Sequence, residues 1–270
     1  MTRSSNWPAE GARVRCGAAA RGFTLLEMTI VVFIIGLLTA GLIGPVQVQL
    51  EARDRHKTMD YMNQASEALY GFALTQRRLP CPDSDGNGTA DPPFIVGIRV
   101  DCEKQTGYLP WAELGVAPAD AWGNRLTYRV RDRYFTWPAQ NTACDGNDAA
   151  TAEFDLCAQG NITIGTRGDN AQTNGNTESK FAYPAATADN VAAVLISHGR
   201  NGYGALGADG NARGLVPAQN DDENENADRD AMFVSRAYTS AQDDCADDEN
   251  EGSPLCEFDD LVVPISRARC

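Results

Sequence analysis

The sequence predicts an α+β protein in which one long N-terminal helix precedes a β-rich head. Three observations predict this class: an uncharged apolar run near the N-terminus, a helical spacing of apolar residues beyond it, and short strand-like runs between turn-rich segments after that. With 43% hydrophobic and 22% charged residues, the composition is that of a folded protein. The net charge of −14 argues against nucleic-acid binding, because phosphate contacts need a basic surface.

The apolar run covers residues 28–46, MTIVVFIIGLLTAGLIGPV, and contains no charged residue. As a helix it reaches roughly 28 Å, which is about the thickness of the hydrocarbon core of a bilayer. Residues 1–22 carry four arginines and one glutamate, so the positive-inside rule predicts a cytoplasmic N-terminus and a translocated head. The run is too long for a signal peptide and no small-residue cleavage site follows it, which leaves an uncleaved anchor as an alternative interpretation.

Glu27 directly precedes the apolar run. A carboxylate at the edge of a membrane is costly unless it is paired, and a plain anchor gains nothing from it. The segment RGFTLLE, residues 21–27, resembles the prepilin cleavage and methylation signature of type IV pilins and type II secretion pseudopilins. The resemblance implies cleavage between Gly22 and Phe23 by a prepilin peptidase and N-methylation of Phe23. It also implies that Glu27 pairs with the Phe23 amine of a neighbouring subunit during assembly.

The helix is predicted to continue to about Gln76, because apolar residues recur at spacings of three and four with polar residues between them. This stripe consists of Met59, Met62, Ala65, Leu69 and Phe72. The turn-forming sequence LPCP at residues 79–82 ends it. The predicted organisation is therefore a cytoplasmic leader (1–22), a long helix (23–77) with a transmembrane part at about 28–46, and a globular head (78–270).

Short apolar runs predict the strands of the head, at residues 94–100, 125–136, 162–165, 191–197, 232–236 and 261–265. Residues 125–136 alternate between apolar and polar side chains, which predicts a half-buried antiparallel strand. Residues 220–230 are predicted to form an acidic loop rather than a stable helix. A long helix on an antiparallel β head agrees with the type IV pilin fold that the resemblance implies.

Several head segments also resemble a recurrent group of prepilin-like proteins, although this resemblance implies no defined activity. These segments are LPCPD at 79–83, GYLPW at 107–111, DAWGN at 120–124, SHGRNG at 197–202 and FDDLV at 258–262.

The cysteines of the head predict disulfides, because the head is expected in an oxidising compartment. Neighbours in sequence suggest the pairs Cys81–Cys102, Cys144–Cys157 and Cys245–Cys256, with Cys270 left over, although other pairings remain open. A zinc site is disfavoured, since no two of these cysteines have the spacing Cys-x-x-Cys.

Residues 83–91, DSDGNGTAD, resemble the first part of an EF-hand loop and suggest a Ca²⁺ site. The candidate ligands are the side chains of Asp83, Asp85, Asn87 and Asp91 and the carbonyl of Thr89. The match fails at the twelfth position, where Phe94 replaces the expected glutamate. The alternative is an Asx-rich turn without a metal. Acidic residues at 221–230 form a second, weaker candidate that is interpreted as a solvated loop.

Two further patterns carry little weight as functional sites. The GxGxxG pattern at residues 202–207 is followed by turn residues instead of a helix, so a dinucleotide site is rejected and a loop is expected. His198 follows Ser197, but no nucleophile-elbow motif accompanies them, so a packed histidine at a strand end is favoured over a hydrolase.

The predicted function is that of a non-enzymatic structural subunit of a type IV pilus-like filament, and a minor one because the head is large. No cofactor is required, although Ca²⁺ is an option. The expected partners are other pilin or pseudopilin subunits, a prepilin peptidase, an inner-membrane assembly platform and the lipid bilayer. The expected location is the inner membrane, as a single span with a cytoplasmic N-terminus and a periplasmic head, and then a periplasmic or extracellular filament. The alternatives are a type II secretion pseudopilin with a calcium-stabilised head and an uncleaved membrane-anchored ligand-binding protein.

Overall fold

A computed structural model of the chain describes residues 24–76, 78–93, 102–131, 162–165, 191–241, 244–245 and 254–266, without the side chains of residues 40–47. The chain divides into two compact units, Met1–Leu50 and Glu51–Cys270. The architecture is α+β, as the sequence predicts, and its described parts include an N-terminal helix, an antiparallel sheet and two disulfides.

The first helix, α1, spans Leu25–Gln76. The hydroxyl oxygen of Thr24 accepts a hydrogen bond from the backbone N–H of Glu27, which satisfies one of the unpaired donors at the helix start. In the first unit, residues 25–39 are all exposed. Among the described residues, none of the helices is both long and apolar enough to span a membrane. The predicted span at about 28–46 also includes residues 40–46, whose side chains are not described.

In the second unit, α1 contributes one face to the main hydrophobic core. Met62, Ala65 and Leu69 are completely buried, and Met59 and Phe72 are half-buried. The stripe predicted from the spacing of apolar residues is therefore the face that packs, and burying it in the core is what holds this part of α1 against the head.

The main sheet has four antiparallel strands in the order β1-β2-β4-β6. Its strands are β1 (Thr106–Tyr108), β2 (Thr127–Val130), β4 (Val191–Ser197) and β6 (Leu261–Ser266). A separate parallel pair consists of β3 (Thr163–Gly165) and β5 (Met232–Val234). Two short helices, α2 (Trp111–Leu114) and α3 (Asp221–Ala227), complete the described elements.

Strand β4 lies between two hydrophobic cores. Ala193 and Leu195 pack in the core shared with α1, whereas Val194 and Ile196 pack in a second core with Phe233 of β5. Successive side chains of a strand point to opposite faces, so a strand covered on both faces must be apolar throughout. This explains why the sequence VAAVLIS was predicted correctly as a strand and is buried at every position.

Two predictions about the head are wrong. Residues 127–130 of the strand predicted at 125–136 do form an antiparallel strand, and residues 132–136 lie outside the described residues. The predicted alternation of burial is wrong, because all four residues of β2 are buried: Thr127 is covered by His198, and Arg129 by Thr106 and the backbone carbonyl of Arg229. Residues 221–227 form helix α3 rather than a loop. Asn220 caps this helix by accepting from the N–H of Glu223, and the acidic residues of the first turn are favoured by the helix dipole. Strand β1 and helix α2 were not predicted, and the strand predicted at 94–100 lies outside the described residues.

Two disulfides tie together the described part of the head. Cys81–Cys102 and Cys245–Cys256 join residues whose Cα atoms lie 5.3 and 4.9 Å apart. Both are pairs that the neighbouring positions suggested. Cys144, Cys157 and Cys270 lie outside the described residues.

Candidate functional site

The predicted processing and assembly residues lie at the start of α1. Gly22 and Phe23 are outside the described residues, whereas Glu27 is exposed in the first helical turn. A carboxylate in this position is favoured by the positive end of the helix dipole. Because the Glu27 side chain is exposed, it is available to a partner outside its own chain.

The aspartate-rich loop at residues 83–91 is organised around Asp83. This buried carboxylate accepts hydrogen bonds from the N–H of Gly86 and the N–H of Gly88, each at 2.6 Å. Both glycines have positive φ, at 79° and 95°, which side chains other than glycine rarely adopt. Burial raises the pKa of the Asp83 carboxyl above its ordinary value, although these two N–H donors offset part of the effect.

The loop brings three of the five predicted calcium ligands together, Asp83, Asp85 and Asp91, but most of their carboxylate oxygens already accept hydrogen bonds. Oxygen atoms of Asp83, Asp85 and Asp91 lie within 4.8 Å of one another, a separation that one cation can bridge. However, Asp91 accepts two hydrogen bonds from Ser84. The Oδ1 atom of Asn87 accepts from the N–H of Thr89 at 2.8 Å. This is the geometry of an Asx-rich turn, and calcium binding here stays a prediction.

A second acidic group, which we call the buried carboxylate cluster, consists of Glu223, Asp259 and Asp260. These side chains are 1%, 2% and 3% exposed, and their oxygen atoms also lie within 4.8 Å of one another. Glu223 comes from α3, and the two aspartates directly precede β6. The sequence alone does not group these residues, because only the fold brings position 223 beside positions 259 and 260.

Hydrogen bonds hold the buried carboxylate cluster in place, but they leave two of its oxygen atoms without a donor among the described residues. Glu223 accepts from the side-chain amides of Asn201 and Asn220 and from the N–H of Asp259, at 2.9–3.0 Å. The Oδ2 atom of Asp260 accepts from Asn226 at 2.8 Å. The Oδ1 atoms of Asp259 and Asp260 are buried and accept no hydrogen bond from the described part of the chain. Two unsatisfied carboxylate oxygens in such a setting are costly unless a ligand contacts them.

The electrostatics of the cluster agree with this geometry. Burial, and then the nearby charge of Asp260, raises the pKa of Glu223 to about 8. Burial is also the main cause that raises the pKa of Asp259 to about 7. At neutral pH the cluster is therefore stabilised either by protons or by a cation. Carboxylate oxygens are hard ligands, and they are the ligands that Ca²⁺ and Mg²⁺ prefer.

Ser197 and His198 do not form a nucleophilic pair. The hydroxyl of Ser197 donates to Oδ2 of Asp120 at 2.6 Å, whereas Nε2 of His198 lies 2.9 Å from the hydroxyl of Thr127. The Nδ1 atom of His198 lies 3.6 Å from Oδ2 of Asp260. Both residues are buried at the end of β4, which agrees with the predicted packed histidine. The predicted loop with the GxGxxG pattern, residues 202–207, also contains no helix.

Comparison with known proteins decides the class of the N-terminal segment. Residues 18–43 match the family model of the prokaryotic N-terminal methylation motif, and this range contains Gly22, Phe23 and Glu27. The chain carries the N-terminal motif of the pilin and pseudopilin family. Over 104 residues the chain is 28% identical to type II secretion system core protein G of Escherichia coli (strain K12), covering 38% of this chain and 68% of that protein. No solved structure matches the chain.

Proposed function

We propose that this pilin-like chain is a non-enzymatic structural subunit of a type IV pilus-like filament, with the type IV pilin fold. The observation that carries the proposal is the methylation motif at residues 18–43, which overlaps the exposed apolar residues of α1. A prepilin peptidase would cleave between Gly22 and Phe23, and Glu27 would pair with the methylated Phe23 amine of a neighbouring subunit. Burying the two charges together removes the cost of leaving one carboxylate alone in an apolar setting.

The first part of α1 supplies the assembly surface. Eleven large apolar residues between Leu25 and Leu38 are at least 42% exposed, and Leu25 reaches 84%. Such a surface is unfavourable in water and is stabilised by lipid or by other apolar helices. We propose that residues 28–46 lie in the inner membrane before assembly, with the N-terminus in the cytoplasm. In the filament, contacts with other pilin or pseudopilin subunits would then replace the lipid contacts, with the help of an inner-membrane assembly platform.

A minor role in the filament is supported by the size of the head, which has 193 residues from Arg78 to Cys270. A type II secretion pseudopilin is the second candidate, and the similarity to type II secretion system core protein G favours it. Both candidates use the same N-terminal chemistry. An uncleaved, membrane-anchored ligand-binding protein is the outcome that would replace them.

The intact mass of the full-length chain, expressed with and without a prepilin peptidase, tests the proposal. We expect the loss of residues 1–22 and the gain of one methyl group only when the peptidase is present. The variant Gly22→Leu should block cleavage, whereas the matched leader variant Gly17→Leu should be processed normally. A chain that still begins at Met1 in the presence of the peptidase would overturn the filament-subunit proposal and favour the anchored binding protein.

We also propose that a divalent cation, Ca²⁺, stabilises the head, and that the buried carboxylate cluster is its principal site. Support comes from three carboxylates at 1–3% exposure and from the unsatisfied Oδ1 atoms of Asp259 and Asp260. Ca²⁺ usually takes six to eight oxygen ligands, so backbone carbonyls or water would complete the shell. The loop at residues 83–91 is the alternative site, because its carboxylates also lie close together.

Calorimetric titration of the full-length chain in detergent with CaCl₂ separates the two sites. Asp260→Asn removes a charge from the buried carboxylate cluster, Asp91→Asn removes one from the loop, and Asp60→Asn is a control at an exposed aspartate outside the candidate metal-binding groups. We expect Asp260→Asn alone to abolish binding. Loss of binding in Asp91→Asn alone would place the site in the loop, and no binding to the wild-type chain would refute the cation proposal. Circular dichroism checks that each variant folds.

A further inference from the structure

We propose that residues 197–201 couple the buried carboxylate cluster to α1, so that a cation in the cluster tightens the hold of the head on this helix. This inference rests on the cation site proposed above, but it adds a regulatory role that the cation site alone does not imply. The loop at residues 117–124 contacts Thr58 and Tyr61 of α1. We call this loop the helix clamp.

At one end, residues 197–201 are shaped by the carboxylate cluster. The Oδ2 atom of Asp259 accepts from the N–H of Arg200 at 2.9 Å and from the N–H of Asn201 at 3.0 Å. The side chain of Asn201 donates to both oxygens of Glu223. Gly199 has a φ of 52°, and a Cβ atom added there would overlap Oδ1 of Asp259. The segment therefore has to follow any movement of these carboxylates.

At the other end, the same segment holds the helix clamp through two separate hydrogen bonds. The hydroxyl of Ser197 donates to Oδ2 of Asp120 at 2.6 Å. The carbonyl of Gly199 accepts from the side-chain amide of Asn124 at 2.8 Å. Asp120 and Asn124 are both buried and belong to one turn, in which Oδ1 of Asp120 accepts from the N–H of Asn124 at 2.9 Å. Movement of the segment is thus passed to this turn at two points.

The loop at residues 117–124, which contains this turn, contacts α1 directly. The N–H of Ala121 donates to the hydroxyl of Thr58 at 3.2 Å, and the hydroxyl of Tyr61 donates to the carbonyl of Ala117 at 2.5 Å. Thr58 is completely buried and Tyr61 is 8% exposed. These are polar contacts inside a packed interface, where small displacements are not absorbed by solvent.

The electrostatic state of the cluster supplies the driving force. A cation that bridged the three carboxylates would fix oxygen atoms that lie within 4.8 Å of one another, and one of these carboxylates, Asp259, accepts the hydrogen bonds from the N–H groups of residues 200 and 201. A bound cation attracts the same oxygens and fixes the segment in one position. The level of divalent cation around the head would then set how firmly the clamp holds α1.

Amide hydrogen exchange of the full-length chain in detergent, with CaCl₂ or with EDTA, tests the coupling. In the wild-type chain we expect Ca²⁺ to slow exchange at Ala121 and Trp122 by about tenfold or more. Ser197→Ala, which removes the bond to Asp120, should reduce this slowing by at least about threefold while the calcium affinity changes by less than about threefold. Tyr70→Phe removes hydrogen bonds between α1 and Ser266 of β6, away from the clamp, and should keep the full effect.

Asn124→Ala provides a second variant, because it removes the other hydrogen bond of the segment and should also reduce the slowing. Equal slowing in the wild-type chain and in both variants would overturn the coupling while the cation proposal stands. Calcium binding without any change in exchange at Ala121 would overturn it in the same way. Absence of calorimetric calcium binding would instead refute the cation proposal, and the coupling would fall with it.

Discussion

The hydroxyl of Ser197 donates a 2.6 Å hydrogen bond to Oδ2 of Asp120, and this bond joins the end of the central strand β4 to a turn that contacts α1. Burial raises the pKa of the Asp120 carboxyl, and the hydrogen bond from Ser197 offsets part of that increase. Because both residues are buried, water would not easily replace the Ser197 hydroxyl as the donor to Asp120 if that hydroxyl were removed.

Ser197→Ala should therefore destabilise the head by about 1–3 kcal/mol, the usual cost of leaving a buried acceptor without its donor. Urea denaturation monitored by circular dichroism measures the change. Ser66→Ala is the matched control, because the Ser66 hydroxyl is buried and has no hydrogen-bond partner among the described residues. A loss of stability in Ser66→Ala as large as that in Ser197→Ala would contradict the role of the Asp120 bond.

Gly88→Ala should be strongly destabilising. Gly88 has a φ of 95°, and an added Cβ atom would overlap the indole ring of Trp111. Backbone strain and overlap with a large ring each cost about 1–3 kcal/mol. The free energy of unfolding, again from urea denaturation, should therefore fall by more than about 2 kcal/mol.

Gly71→Ala is the control for this substitution. Gly71 lies inside α1, and a Cβ atom added there would meet no atom of the described neighbouring residues within 4 Å. Alanine should therefore stabilise the helix by about 0.5–1 kcal/mol. If both variants change stability in the same direction, the steric explanation for Gly88 is wrong.

The two disulfides described in the head should stabilise the fold and should be detectable chemically. Each bridge of this type contributes about 2–4 kcal/mol, mainly by restricting the unfolded chain. Cys81 is completely buried beside α1, so Cys81→Ala combined with Cys102→Ala should lower the free energy of unfolding by about this amount. Peptide mapping without reduction should recover the Cys81–Cys102 and Cys245–Cys256 pairs in the wild-type chain. A different pairing would contradict the structure of this region.

Local patterns in the sequence predict some elements well and others poorly, for physical reasons. Strand β4 and the end of α1 are predicted correctly because a continuous apolar run and a helical apolar stripe are local signals. Strand β1 has only three residues, TGY, and exists through its pairing with β2. Helix α3 resembles a loop in sequence because its stability depends on the Asn220 cap and on tertiary contacts of its acidic side chains.

The same distinction holds for the candidate sites. The loop at residues 83–91 is recognisable because its carboxylates and glycines are close in sequence. The buried carboxylate cluster is not, because Glu223 is separated in sequence from Asp259 and Asp260 and meets them only in the folded head. In the sequence, Asp259 and Asp260 lie in the segment FDDLV at 258–262, which resembles prepilin-like proteins, and no neighbouring residue indicates that they bind a cation.

The buried carboxylate cluster should make the stability of the head depend on pH when no divalent cation is present. The pKa of Glu223 is raised from 4.5 to about 8, and that of Asp259 from 3.8 to about 7. At pH values between the ordinary and the raised pKa, these two carboxyl groups are protonated in the folded head and ionised in the unfolded chain. Stability is therefore highest at low pH within this window and falls as the pH rises towards 8. In EDTA, the melting temperature should drop by more than about 5 °C between pH 5 and pH 8.

Addition of CaCl₂ at pH 8 should restore much of this loss, because the cation replaces the protons as the partner of the ionised oxygens. Glu223→Gln should flatten the pH dependence in EDTA, since it removes one of the two cluster groups with a raised pKa while keeping the size of the side chain. Asp209→Asn is the control: Asp209 is exposed, hydrogen bonds from Asn211 lower its pKa, and its loss should leave the decline between pH 5 and pH 8 unchanged. A melting temperature that rises over this interval in EDTA would show that the cluster does not hold protons in the folded head.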